Sequence, residues 1–189
     1  APVLSTDGPS GTGKGAVGSR IAKTRGWHLL DSGALYRAFA FVANEQGIAP
    51  DDIEGISRLA PGKDFAFETT VLGEVEIRVN GLDVSMSVRG EQGGRLASVY
   101  AAAPAVRSRL IEHQRSRRQH PGLVADGRDM GTVVFPDATL KVFLTANREI
   151  RAERRYNQLK SKDFDVNLAQ LSALIKQRDQ QDISRSVAP

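Results

Sequence analysis

The sequence predicts an α/β fold, a three-layer sandwich in which helices cover both faces of a central parallel sheet. Three observations carry this reading. A glycine-dense loop, Gly8-Pro9-Ser10-Gly11-Thr12-Gly13-Lys14-Gly15, follows the apolar start Val3-Leu4 and leads into a helical pattern. Short apolar runs recur at Leu29-Leu30, Leu123-Val124-Ala125 and Val142-Phe143-Leu144, each among helical segments, as buried parallel strands do. Polar residues then follow the strands at one end: Asp7 to Lys14, Asp31-Ser32-Gly33, and Asp126-Gly127-Arg128-Asp129. Open sheets of this kind take their ligands beyond the carboxyl ends of the strands.

Taken in order, a strand at Val3 to Thr6 precedes the loop and a helix whose apolar side holds Val17, Ile21 and Ala22. Leu29-Leu30 forms the second strand, and Asp31 or Ser32 caps a helix carrying Leu35, Phe39 and Val42 at helical spacing. Gly47 and Pro50 close that segment. The period then changes to alternation at Phe65, Phe67, Thr69 and Val71, and again after Gly73 at Val75, Ile77 and Val79. That predicts a two-stranded antiparallel ribbon inside a small insertion spanning 62 to about 90. Pro104 to Gln119 reads as helix, 123 to 125 as a central strand, and 142 to 144 repeats its signature. Helices near 148–160 and 167–181 finish the chain.

The 189 residues suit one main domain with a substantial core. With no cysteine the fold needs no oxidising compartment. No run has the length of a membrane span, and Ala1-Pro2 begins almost at the first strand. A soluble cytoplasmic protein is expected. A net charge of +4 is mild for a polynucleotide binder and suits small phosphorylated ligands.

The phosphate-loop pattern is Gly, four residues, Gly, Lys, then Ser or Thr; Gly8, Gly13 and Lys14 match, but Gly15 holds the last place. Glycine lets successive N–H groups point at phosphate oxygens, the helix beginning near Gly13 presents its positive end, and Lys14 adds a mobile charge. Ala16 supplies no hydroxyl either, so Mg2+ falls to water, phosphate oxygens or a distant carboxylate. The plain alternative is a glycine turn before a helix.

Asp126 can orient a cation through water, and Arg128 offers a fork for two phosphate oxygens. The alternative is a turn that Asp126 bonds for itself, with Arg128 in a surface pair. Arg37 stands where it can clamp a second phosphate, or is solvated while Ser32 caps the helix. Arg178, Asp182 and Arg185 fall at i, i+4 and i+7, on one helical face. Two guanidinium groups there can grip phosphate, with Asp182 on a ribose hydroxyl; a solvated Arg178–Asp182 pair explains the spacing equally. Arg148, Arg151, Arg154 and Arg155 form a basic cluster in which the last three share a face, suiting a lid that closes on triphosphate, unless Glu149 and Glu153 pair with them. The run Arg107, Arg109, Arg115, Arg117 and Arg118 reads as a basic surface or an RNA-facing patch. Widely spaced His28, His113 and His120 make no zinc site.

The runs Asp7 to Gly15, Trp27 to Arg37 and Ala125 to Pro136, with the ending Lys176 to Pro189, resemble the bacterial cytidylate kinase family across essentially the whole chain. The resemblance implies a P-loop kinase domain over 1–189 with an inserted monophosphate-binding subdomain at 62–100 and a short lid at 148–166. It implies transfer of the terminal phosphoryl group of ATP to CMP or dCMP with Mg2+ held mainly through phosphates and water, by a monomer with no nucleic-acid or membrane partner. A kinase for another small acceptor, such as a different nucleoside monophosphate, is the alternative. Gly8 to Ala16 correspond to the ATP loop. Ser10, Lys14, Arg37, Arg128 and Arg185 correspond to contacts on the acceptor phosphate, and Ser98, Arg107 and Asp129 to readers of cytosine. Ser32 belongs to the same pocket, Arg178 and Asp182 to the sugar hydroxyls, and Arg154 and Arg155 to the lid. Three departures stand out: Ala16 replaces the family's Thr or Ser, Arg89 to Ser98 is unusually glycine-rich, and the family continues past Pro189 to a further strand and helix. Without that tail the fourth strand is expected to be an exposed edge.

Overall fold

The computed structural model describes residues 1–62, 64–69, 75–161 and 165–184. Strand β1 (Val3–Asp7) is buried along its whole length and runs into the glycine loop and α1 (Lys14–Arg25). The buried side of α1 passes through Gly18 and Ala22, whereas Val17, expected on the apolar side, is 43% exposed. A Cβ at Gly18 would stand 3.4 Å from Val124 Cγ1, so this helix lies close on the sheet. Strand β2 (His28–Asp31) follows, and Asp31 rather than Ser32 caps α2 (Ser32–Glu45) by accepting from the Ala34 amide at 2.9 Å. Leu35, Phe39 and Val42 are buried as their spacing predicts.

After α3 (Ile53–Arg58) come β3 (Phe65–Thr69), β4 (Val75–Val79) and β5 (Leu82–Asp83), which form an antiparallel sheet in that order. The ribbon read from the sequence therefore gains a short third strand; Val71 and Gly73 lie outside the described residues. Phe65 and Ile77 bury against α2, and the Phe39 and Phe65 rings meet edge to face at 6.3 Å. Helices α4 (Ser85–Arg89), α5 (Glu91–Ala102) and α6 (Pro104–Ser116) complete this side. The glycines at 93 and 94 are helical, and a Cβ on Gly93 would strike the backbone of Val88.

Strand β6 (Leu123–Asp126) leads to a π-helical turn, Met130–Val134, then β7 (Leu140–Phe143), α7 (Arg148–Lys160) and α8 (Leu168–Ile183). The main sheet is parallel in the order β2-β6-β1-β7. Val124 and Ala125 are fully buried, as a central strand requires. The last strand begins at Leu140, two residues before the expected run, and stands at the edge as expected, with Leu140 57% and Phe143 67% exposed. Apolar composition marked it as a strand but not its side of the sheet. No helix among the described residues is long and apolar enough to cross a membrane.

Candidate active site

Strand-end loops from β1, β2 and β6 converge on a cleft of about 400 Å³. On one wall is the glycine loop. Gly8 has φ 137°, and a Cβ there would collide with the Leu144 carbonyl; Gly13 caps α1 in the left-handed region at φ 95°. Only glycine takes such angles readily. No side chain caps α1, so the leading amides of that helix are left for an anion. Ser10, Gly11, Gly13, Gly15 and Ala16 line the cleft, while Gly8, Pro9 and Thr12 shape the turn beneath it.

Lys14 is not the freely mobile charge its position suggested. Its side chain is buried, and Nζ donates to the Pro9 carbonyl at 2.9 Å, beside the Thr12 hydroxyl at 3.1 Å on the same oxygen. Burial, reinforced by Arg128, brings its ammonium down to about 8. Opposite stands Asp126, whose carboxyl burial and Asp31 together push up to about 7. A Cβ at Gly15 would sit 3.3 Å from Asp126 Oδ2. The carboxylate thus occupies the side where the generic loop carries a hydroxyl.

The far wall carries Arg37, Arg128 and Arg178. The Nε groups of Arg37 and Arg178 are sealed from solvent without a hydrogen-bond partner, and burial lowers the pKa of both. Buried donors left unsatisfied favour an anion. Arg128 Nε donates to Asp182 Oδ2 at 3.0 Å, so Asp182 ties α8 to the loop after β6. Arg185 lies outside the described residues.

Beside this wall is a pocket of about 60 Å³ lined by Ser32, Ser98, Arg107, Arg128, Asp129 and Asp182, among others. That is room for about two water molecules. Arg107 forms an ion pair with Asp129, the Ser98 hydroxyl donates to the Gly94 carbonyl at 3.0 Å, and Ser32 donates to Gln114 Oε1 at 2.8 Å. Gln114 went unread in the sequence. Its signal was a polar residue in the buried stripe of α6 after Val106 and Leu110.

The basic cluster of α7 divides. Arg154 lines the cleft and donates to the Thr12 carbonyl at 3.2 Å; Arg155 lines it too, held by Glu91 at 2.9 Å and the Arg89 carbonyl. Arg151 instead is buried, bonding the carbonyls of Ala146 and Ser10 and both oxygens of Asp179. The partners are Asp179 and Glu91, not Glu149 or Glu153, both of which are exposed. Arginines in and just after α6 also bond internally: Arg109 to the Leu59 carbonyl, Arg115 to the carbonyls of Val133 and Val134, Arg118 to the Ala1 carbonyl and Asp137.

A family model described as cytidylate kinase matches residues 4–189. The chain is 54% identical over 190 residues to the cytidylate kinase of Pseudomonas syringae pv. tomato, across 100% of this chain and 83% of that protein. It is 50% identical over 188 residues to that of Marinomonas sp., across 100% of this chain and 83% of the other. The same identity over 188 residues relates it to that of Methylococcus capsulatus, with 84% of the latter covered. A family match over residues 4–189 and identities of 50–54% across the whole chain make the assignment plain: the chain belongs to the cytidylate kinase family.

Proposed function

We propose that the chain transfers the terminal phosphoryl group of ATP to CMP or dCMP, giving ADP and CDP or dCDP. The observation that carries this reading is the single cleft in which the glycine loop faces the sealed, unsatisfied Nε groups of Arg37 and Arg178. One polyphosphate site opposite a second anion site suits direct in-line transfer between two nucleotides.

On this reading the loop amides and Lys14 take the donor phosphates. Arg37, Arg128, Ser10 and, beyond the described residues, Arg185 hold the acceptor phosphate. Arg178 and Asp182 take the sugar hydroxyls. Ser98, Arg107 and Asp129 read the base in the smaller pocket, with Ser32 beside them. Residues 62–100 serve as the acceptor-binding insertion, and the lid at 148–166 delivers Arg154 and Arg155 over the phosphates.

The donor set fits Mg2+. Asp126 and Asp31 offer hard oxygens in the cleft, and no cluster of three or more metal-ligating side chains exists among the described residues. A cation with few protein ligands keeps water and phosphate oxygens. Mg2+ would neutralise charge on the transferring phosphoryl group, with Asp126 and Asp31 holding it through water. Their carboxylates also steady Lys14, which stays charged below about 8.

ADP formation from ATP and Mg2+ across CMP, dCMP, UMP and AMP tests the reading. CMP or dCMP should be the best acceptor. Absence of acceptor-stimulated ADP release would refute it, and a preference for UMP or AMP would transfer the activity to another monophosphate.

A further inference from the structure

Asp7 ends β1 and is buried, 8% exposed as a residue. Its Oδ1 accepts from the Met130 amide and its Oδ2 from the Gly131 amide, each at 2.8 Å. Those two amides open the π-helical turn, and the residue standing before them is Asp129. An aspartate in that position ordinarily accepts from the first amides of the turn it introduces. Asp129 does not. Its carbonyl accepts from Val133 and Val134 at 2.9 and 3.1 Å, while its carboxylate leaves the turn and pairs with Arg107 in the small pocket.

The turn is also pressed against β1. A Cβ on Gly131 would stand 2.6 Å from Ser5 Oγ, so glycine is what allows the amide to reach Asp7. A buried carboxylate is costly unless bonded, and here both oxygens are bonded to main chain. The strand that feeds the donor loop thus supplies the cap that Asp129 would otherwise supply for itself.

We propose that Asp7 is a positioning residue for acceptor recognition: by capping Met130 and Gly131 from β1, it frees the Asp129 carboxylate to face Arg107 and the acceptor base. This inference rests on the kinase reading above. Without the cap, Asp129 stands in the N-cap position from which a side chain serves the two orphaned amides, and turning inward to do so removes it from the pocket. Asp7 touches no substrate; it acts through Asp129.

The test uses Asp7→Asn and Asp7→Ala in the whole chain, with CMP and UMP as acceptors. Asn keeps one acceptor oxygen but points an N–H2 group at the second amide. The ratio of kcat/KM for CMP over UMP should fall about tenfold, through KM for CMP, while KM for ATP moves by less than about twofold. Combined with Asp129→Asn, either substitution should add little further loss of discrimination, because the two act as a unit. An unchanged ratio in a folded variant overturns the proposal, as does full additivity with Asp129→Asn or a rise in KM for ATP equal to that for CMP. Failure of both variants to fold also overturns it, making Asp7 a stability residue. If wild type shows no CMP-stimulated ADP release, the kinase reading itself fails, whatever the variants do.

Discussion

At the scale of single residues, the cleft places a buried ammonium and a buried carboxyl within one site, and burial moves them in opposite directions. Lys14 drops from 10.5 to about 8 and Asp126 rises from 3.8 to about 7. For Lys14 the unfolded chain binds the extra proton, so stability should rise with pH between about 8 and 10.5. For Asp126 the folded chain binds it, so stability should fall as pH rises from 3.8 through about 7. Thermal melts across both windows check the signs: Lys14→Met should flatten the alkaline rise and Asp126→Asn the acidic fall. Lys14→Met should also melt no lower than wild type at neutral pH, since it relieves a desolvated charge. Turnover should nevertheless drop by about 10²–10³-fold, as when a single charge-stabilising donor is removed. A large fall in melting temperature would show that the Pro9 bond, not the charge, dominates. Lys14 and its loop were readable from spacing alone, because Gly8, Gly13 and Lys14 fall within one short stretch of sequence. Asp126 was legible as a cation-orienting carboxylate, but its place beside Gly15 was not, since that contact joins the start of α1 to the end of β6, far apart in sequence.

Among elements, α7 is tied down by its least exposed arginine. Arg151 joins the loop carbonyl of Ser10 to Asp179 on α8, with side chains 6% and 21% exposed. Removing one partner of such a pair strands the other, typically costing about 3–5 kcal/mol. Arg151→Ala should therefore lose stability of that order in urea titration, whereas Glu153→Ala on the exposed face should stay within about 0.5 kcal/mol. Comparable effects from the two would show that α7 rests on apolar packing instead. Helical spacing correctly put Arg151, Arg154 and Arg155 on one side, but spacing cannot distinguish an anion-seeking arginine from one already engaged. That distinction depends on Asp179 and Glu91, which arrive from other helices. The same limit explains β7: its apolar run predicted a strand, yet exposure depends on what lies beside it. Local periodicity settled α2 and β6 more fully, because their burial follows from their own residues.

Across the whole molecule, the cleft takes cations from separate parts of the chain: Lys14 from the loop, Arg37 from α2, Arg128 after β6, Arg154 and Arg155 from α7, and Arg178 from α8. Asp31, Glu91 and Asp126 offset only part of that charge. Like charges held together repel, so a ligand that neutralises all of them should stabilise more than one reaching half. An adenosine and a cytidine joined through five phosphates spans both walls, and at about a hundredfold over its Kd it should contribute about 2.7 kcal/mol. In a domain of this size each kcal/mol raises Tm by about 2–4 °C. The linked compound should therefore raise Tm further than ATP or CMP alone, each at the same concentration. Added salt should reduce the gain, since part of it is charge neutralisation. Arg178→Ala should lower the increment from the linked compound and from CMP while sparing that from ATP. A shift for the linked compound no greater than for ATP would mean that the two walls do not engage one ligand, and the single-cleft account of transfer would fail with it.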